Sequence, residues 1–160
     1  MRKLAAVFIV GSFLSGCAPG YVYTPPSTVD YDKTMQEAKR KDAEFAEKVK
    51  NINLDTADVG AKPQNYKKLV EDAIKEQLKD PDSAKFTDMT NPRKEVMVDQ
   101  GNFIYGYSTC VYVNAKNSYG GYVGKQRYWA FIRNNQVLRI KNTNEAYGDI
   151  IFIGRPINCN

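Results

Sequence analysis

Residues 102–114 read NFIYGYSTCVYVN, and no other stretch limits the fold as much. Aromatic and β-branched side chains fill it, and successive residues of an extended chain face opposite ways. Phe103, Tyr105, Tyr107, Thr109, Val111 and Val113 then point to one side, and Ile104, Gly106, Ser108, Cys110 and Tyr112 to the other. Partner strands are at hand. Residues 84–89 and 94–98 are short strand candidates around Asn91-Pro92, and 126–133 (QRYWAFIR) is a further strand with Trp129 in the core. Asn134-Asn135 forms a turn before Val137 to Ile140, and the apolar run IIFI closes the series at 150–153. Ahead of the strands, Tyr66, Leu69, Val70, Ala73, Ile74 and Leu78 recur at three- and four-residue spacing, which marks one face of a helix. Asn65 is its expected N-cap and Pro81 its expected stop. One amphipathic helix followed by antiparallel strands predicts an α+β domain over 65–160. The helix packs on a small, curved, mostly antiparallel sheet of about four or five strands.

The N-terminus predicts an address. Arg2 and Lys3 precede an apolar run from Leu4 to Leu14, too short to span a bilayer as a helix, and small residues Ser15 and Gly16 follow. That order describes a secretory signal peptide over 1–16. Leu14-Ser15-Gly16-Cys17 resembles the lipobox of bacterial lipoproteins. The resemblance implies that the Cys17 thiol receives diacylglycerol, that cleavage falls before it, and that the new amine is acylated, for example with palmitate. Several chains on one residue anchor firmly where one binds marginally. Ala18 in place of Asp implies, by the sorting rule that accompanies the resemblance, the periplasmic face of the outer membrane. From Cys17 the expected order is an extended Pro-bearing tether over 17–29, a charged helix over 30–52, and a linker over 53–64 containing Gly60 and Pro63. Within 30–52, Tyr31, Met35, Ala38, Asp42, Phe45, Val49 and Ile52 alternate spacings of four and three. This heptad-like stripe fits a helix that self-associates or meets a partner, and also a spacer that lies on its own domain or is partly frayed.

The formal net charge of +5 falls to about +3 once Arg2 and Lys3 leave. That excess is scattered, with lysines and acids alternating along the helices, and gives no footing for nucleic acid. The chain contains no histidine, which excludes His-based acid–base catalysis, Ser–His and Cys–His nucleophile pairs and His metal sites. Neither a catalytic motif nor a cofactor motif is present, so the expectation is a non-enzymatic protein without cofactor or metal. With Cys17 lipidated, Cys110 and Cys159 remain, and an even remainder in an exported chain favours a disulfide. The bridge closes a loop of 49 residues, worth about 4 kcal/mol in the chain-entropy model.

Two further stretches stand out: Asp80-Pro81-Asp82-Ser83-Ala84-Lys85-Phe86, and CVYVNAKNSYGGYVG from Cys110 to Gly124. Together they resemble an uncharacterised family of small exported bacterial proteins, many of them lipoproteins, over roughly residues 64–159. The resemblance implies the exported address and the α+β domain, and no activity. The second stretch holds a candidate binding loop from Asn114 to Lys125, longer than an ordinary hairpin loop. Lys116, Asn117, Tyr119, Gly120, Gly121, Tyr122 and Lys125 are its candidate residues, with Arg127 on the same positive rim. Tyrosine among glycine, asparagine and serine is common in recognition loops, because it supplies contact area at low entropic cost. The same composition also fits a structural loop whose tyrosines pack back over the sheet edge. GGYVGK lacks the first glycine and the Ser/Thr of a phosphate loop. Asp80 and Asp82 sit in the helix-stop turn, where capping is their expected role. The leading functional expectation is an outer-membrane lipoprotein that binds another cell-envelope component, such as an accessory subunit of a secretion, conjugation or outer-membrane assembly complex. The alternative is an inhibitor of an envelope lytic enzyme, or a peptidoglycan- or glycan-binding module, that uses the same loop.

Overall fold

The computed structural model describes residues 30–160. The expected signal peptide, Cys17 and the expected 17–29 tether lie outside the described residues. Helix α1 spans Tyr31–Lys50 and α2 spans Tyr66–Lys75. Seven strands follow: β1 Asp80–Thr87, β2 Arg93–Asp99, β3 Asn102–Lys116, β4 Gln126–Arg133, β5 Gln136–Asn142, β6 Ile150–Phe152 and β7 Arg155–Pro156. The described residues fall into two units, 30–42 and Ala43–Asn160.

In the first unit Asp30 caps α1. Its carboxylate accepts the Lys33 N–H at 3.1 Å, the N3 amide that has no partner inside a helix. Residues 31–42 are exposed all round, Tyr31 and Met35 included.

The second unit is organised on β3. β4 pairs along one edge, from Tyr107↔Ile132 to Val113↔Gln126. The other edge serves two strands, β2 over Asn102–Ser108 and β1 over Tyr112–Lys116. Thr90 fills the gap between them. Its N–H donates to the Cys110 carbonyl at 2.8 Å, and its hydroxyl accepts the Cys110 N–H at 2.9 Å, so the ladder is continued by a loop residue. β2 and β3 turn through Gln100 and Gly101 at φ 46° and 79°, and β4 and β5 through Asn134 and Asn135 at φ 49° and 62°. Paired positive φ values match the twist of flanking strands, and the Asn-Asn turn expected at 134–135 is the one found. The α+β architecture is as read from the sequence: helix α2 packs on a mostly antiparallel five-stranded sheet.

Both faces of the sheet are covered. On one, Val70 and Ile74 of α2 meet Val111, Val113, Ala130 and Ile132. On the other, Met97, Cys110, Trp129 and Phe131 are covered by Ile151, Ile157 and Cys159. The β6–β7 ribbon belongs to this second layer, and β7 carries no sequence signal because it is two residues long. Arg155 of β7 reaches the buried Glu95 carboxylate at 2.6 Å, and Cys110 and Cys159 are disulfide-bonded with Cα atoms 5.6 Å apart. Gly106 lies under the same layer. A Cβ there would stand 2.6 Å from the Ile132 carbonyl oxygen and 2.8 Å from the Phe131 ring, so only glycine fits.

Several boundaries differ from the sequence reading. α2 ends at Lys75, not at Pro81, because the chain turns through Gln77 and Leu78, whose amides bond back to Ile74 and Lys75. Pro81 therefore sits at the start of β1, where its missing N–H costs little. Asn65 makes no side-chain cap. The compact unit begins at Ala43 and not at residue 65. Phe45 stacks on Phe103 at 5.6 Å and meets the edge of Phe152 at 5.9 Å, so residues 43–50 of α1 lie on their own domain, as one reading of the stripe expects. The 53–64 segment is not a linker either. Val59 and Pro63 are buried, and Arg133 donates to the Asp58 carbonyl at 2.8 Å and to its carboxylate at 3.1 Å. Two buried residues four apart and one ion pair leave no periodic trace in a sequence.

Two outcomes follow from this packing. Replacing Cys110 and Cys159 together by alanine should lower stability by about 4 kcal/mol, read as a reduced midpoint of thermal unfolding that reducing agent lowers no further. The Gly60 amide and then the Arg133 guanidinium hold the Asp58 carboxyl below its ordinary value of 3.8. A depressed folded value means stability that is present above about pH 4 and lost as pH falls through the folded value. Asp58→Asn should therefore flatten the acid limb of stability against pH below 4 and leave the dependence near neutrality unchanged.

Candidate functional site

The 110–125 stretch folds into a hairpin arm at one end of the sheet. β3 runs on to Lys116, so Asn114 to Lys116 are strand and the connection is 117–125. A bridge between Lys116 and Tyr122, with the Val123 N–H donating to the Ala115 carbonyl at 3.3 Å, extends the arm beyond β4.

Asn117 builds the tip. Its main-chain N–H donates to the Gly121 carbonyl at 2.9 Å and its carbonyl accepts the Gly120 N–H at 3.0 Å. Its side-chain oxygen accepts the Tyr119 and Gly121 amides at 2.9 and 3.1 Å. This is the local chemistry by which asparagine mimics a backbone turn. The oxygen of Asn117 is thus spent on shape. Gly120 and Gly124 sit at φ 79° and 89°, where an L side chain is strained, and Asn114 accepts the Gly124 N–H at 3.1 Å. Gly121 has no such demand on it.

The turn presents Tyr119, 96% exposed, with Tyr122 at 45% and Val123 at 50% behind it. Cations gather on the arm. Lys85 Nζ lies 4.8 Å and Lys116 Nζ 5.6 Å from the Tyr122 ring centre. Arg127 lies over the Tyr112 ring at 5.1 Å and donates to its hydroxyl oxygen at 2.6 Å. Lys125 approaches the same ring and pairs with Asp88 at 3.5 Å. The expected positive rim of Lys116, Lys125 and Arg127 is therefore split into two clusters, each organised on a tyrosine.

Lys85 is the member that the loop reading missed. It lies in the other conspicuous stretch, and the register that pairs Lys85 with Asn114 and Asp80 with Lys116 sets the two stretches side by side. Asp80 accepts the Ser83 N–H at 3.2 Å, and the Ser83 hydroxyl accepts the Lys116 N–H at 2.8 Å. Asp80 thus shapes the irregular start of β1, and Asp82 stands exposed beside it.

The perturbed titrating groups lie away from this arm. Burial, and then Arg139, push the Lys141 ammonium down, while burial, and then Glu145, push the Tyr128 hydroxyl up. Both line a cleft of about 240 Å³ with Tyr147. Lys141 donates to the Tyr147 carbonyl at 2.9 Å and to the Ile150 carbonyl, which ties the 147–150 turn to β5. Among the described residues no group of three or more Cys, Asp or Glu is gathered as a metal site, and no helix is long and apolar enough to cross a membrane. The chain matches no family model, no curated protein and no solved structure.

Asn117→Ala should free the Tyr119 and Gly121 amides, raising their hydrogen-exchange rates about five- to tenfold for a net bond of about 1 kcal/mol. The midpoint of global unfolding should stay where it is.

Proposed function

We propose that this protein is a non-enzymatic lipoprotein of the bacterial outer membrane, held at the periplasmic face by lipid on Cys17, and that it binds a protein of the cell envelope through the 117–125 hairpin tip. A large aromatic side chain carried almost wholly in water on a turn built to hold it is the observation that supports the binding role: Tyr119 is 96% exposed above the Asn117 turn. Such a ring buries almost nothing within its own chain, whereas aromatic anchors dominate protein–protein contacts. An accessory subunit of an envelope complex suits this layout, since the 117–125 tip contributes no residue to either core of the domain.

Support for the address is the Leu14-Ser15-Gly16-Cys17 order after a short apolar run. The disulfide between Cys110 and Cys159 accords with an oxidising compartment.

Cells expressing the full chain with a photo-crosslinking residue at position 119, and separately at the exposed Met35, test both parts. The expected result is one discrete envelope protein captured at 119, membrane recovery that depends on Cys17, and loss of the attached lipid mass in Cys17→Ser. Absence of any adduct at 119 would remove the binding role. An adduct of the chain with itself at Met35 would instead assign self-association to the exposed part of α1.

A further inference from the structure

We infer that the hairpin tip seats in a concave, carboxylate-lined surface of its protein partner, with Tyr119 inserted and Lys85 and Lys116 as the charge contacts; the inference rests on the proposed binding role of this hairpin.

Charge supplies the first argument. Both ammoniums stand within 5.6 Å of the Tyr122 ring centre, yet among the described residues neither is paired with a carboxylate. Two like charges held beside one ring repel each other, and the π face offsets only part of that repulsion. Of the other cations near the arm, Lys125 is paired with Asp88, and Arg127 is held on Tyr112 by two bonds to its hydroxyl oxygen. Lys85 and Lys116 are left as the pair that an incoming carboxylate stabilises.

Shape supplies the second. Sites for sugars and other small ligands are concave. This element is a projecting turn with its aromatic ring outermost, the complement of such a site, and a protruding tyrosine acts as the anchor that fills a partner's pocket.

The sign pattern of the rim supplies the third. Asp88 lies beside Lys125, and Asp82 is exposed near the start of β1, three residues before Lys85. A bilayer rich in anionic lipid presents a continuous negative surface and meets these carboxylates together with the lysines. A protein groove presents discrete carboxylates that can be matched to the two lysines alone. The arm therefore fits an acidic groove better than a membrane surface.

The test uses the full chain in living cells with the photo-crosslinking residue at position 119, in the natural background and with Lys85→Glu/Lys116→Glu. The expected result is one adduct whose yield falls at least about tenfold in the glutamate background, with Lys85→Gln/Lys116→Gln between the two. Changing a carboxylate at the mapped contact of the captured protein to lysine should restore yield to the glutamate variant. The same adduct at unchanged yield in the glutamate and glutamine backgrounds overturns the charge contacts while leaving the hairpin a binding element. No adduct in any background overturns both readings. Purified chain is also sedimented with phosphatidylcholine vesicles, with and without phosphatidylglycerol. Co-sedimentation that needs phosphatidylglycerol, Lys85 and Lys116 would assign the lysines to the membrane and overturn the acidic groove. The glutamine pair removes charge without adding any, so a folding defect confined to the glutamate variant leaves the prediction measurable.

Discussion

Everything in the second unit depends on β3 being longer than its neighbours. A strand of 15 residues offers more backbone donors and acceptors than any one short partner can satisfy, and unpaired groups inside a protein are costly. The chain meets that demand with β4 on one edge, β2 and β1 on the other, and Thr90 between them. Its middle is buried on both faces, so it also belongs to both cores. The length that creates the pairing demand creates the arm as well: β3 outruns β4 by three residues, and the 117–125 tip begins where β3 itself ends.

Much of this was legible. The alternation of 102–114 and the three-four spacing of α2 are periodic signals with an energetic cause, since each marks a face removed from water. The turn at Asn134-Asn135 was legible for another reason: asparagine tolerates the positive φ that a two-residue hairpin demands. Gly106, by contrast, reads as a weak point in a strand until the Phe131 ring beneath it is known.

What stayed hidden was held by single contacts. The docking of residues 43–50 rests on Phe45 against two rings far away in sequence, and the 53–64 segment rests on Val59, Pro63 and the Asp58–Arg133 pair. The candidate site behaved in the same way. Tyr119, Tyr122 and the lysines of the loop stood out by composition, but Lys85 joined them only through the β1–β3 register. Asn117, a candidate contact residue by composition, spends its side-chain oxygen on its own turn.

The second core has an optical consequence. The chain has a single tryptophan, Trp129, which is fully buried and sits directly across from Cys110 in the β3–β4 ladder. An excited indole ring can pass an electron to a nearby disulfide, which dims its emission, and a thiol pair is a poorer acceptor. The protein thus carries its own redox dye. The fluorescence of one residue, with no label attached, reports whether Cys110 and Cys159 are joined, and does so in the same layer that the bond holds closed.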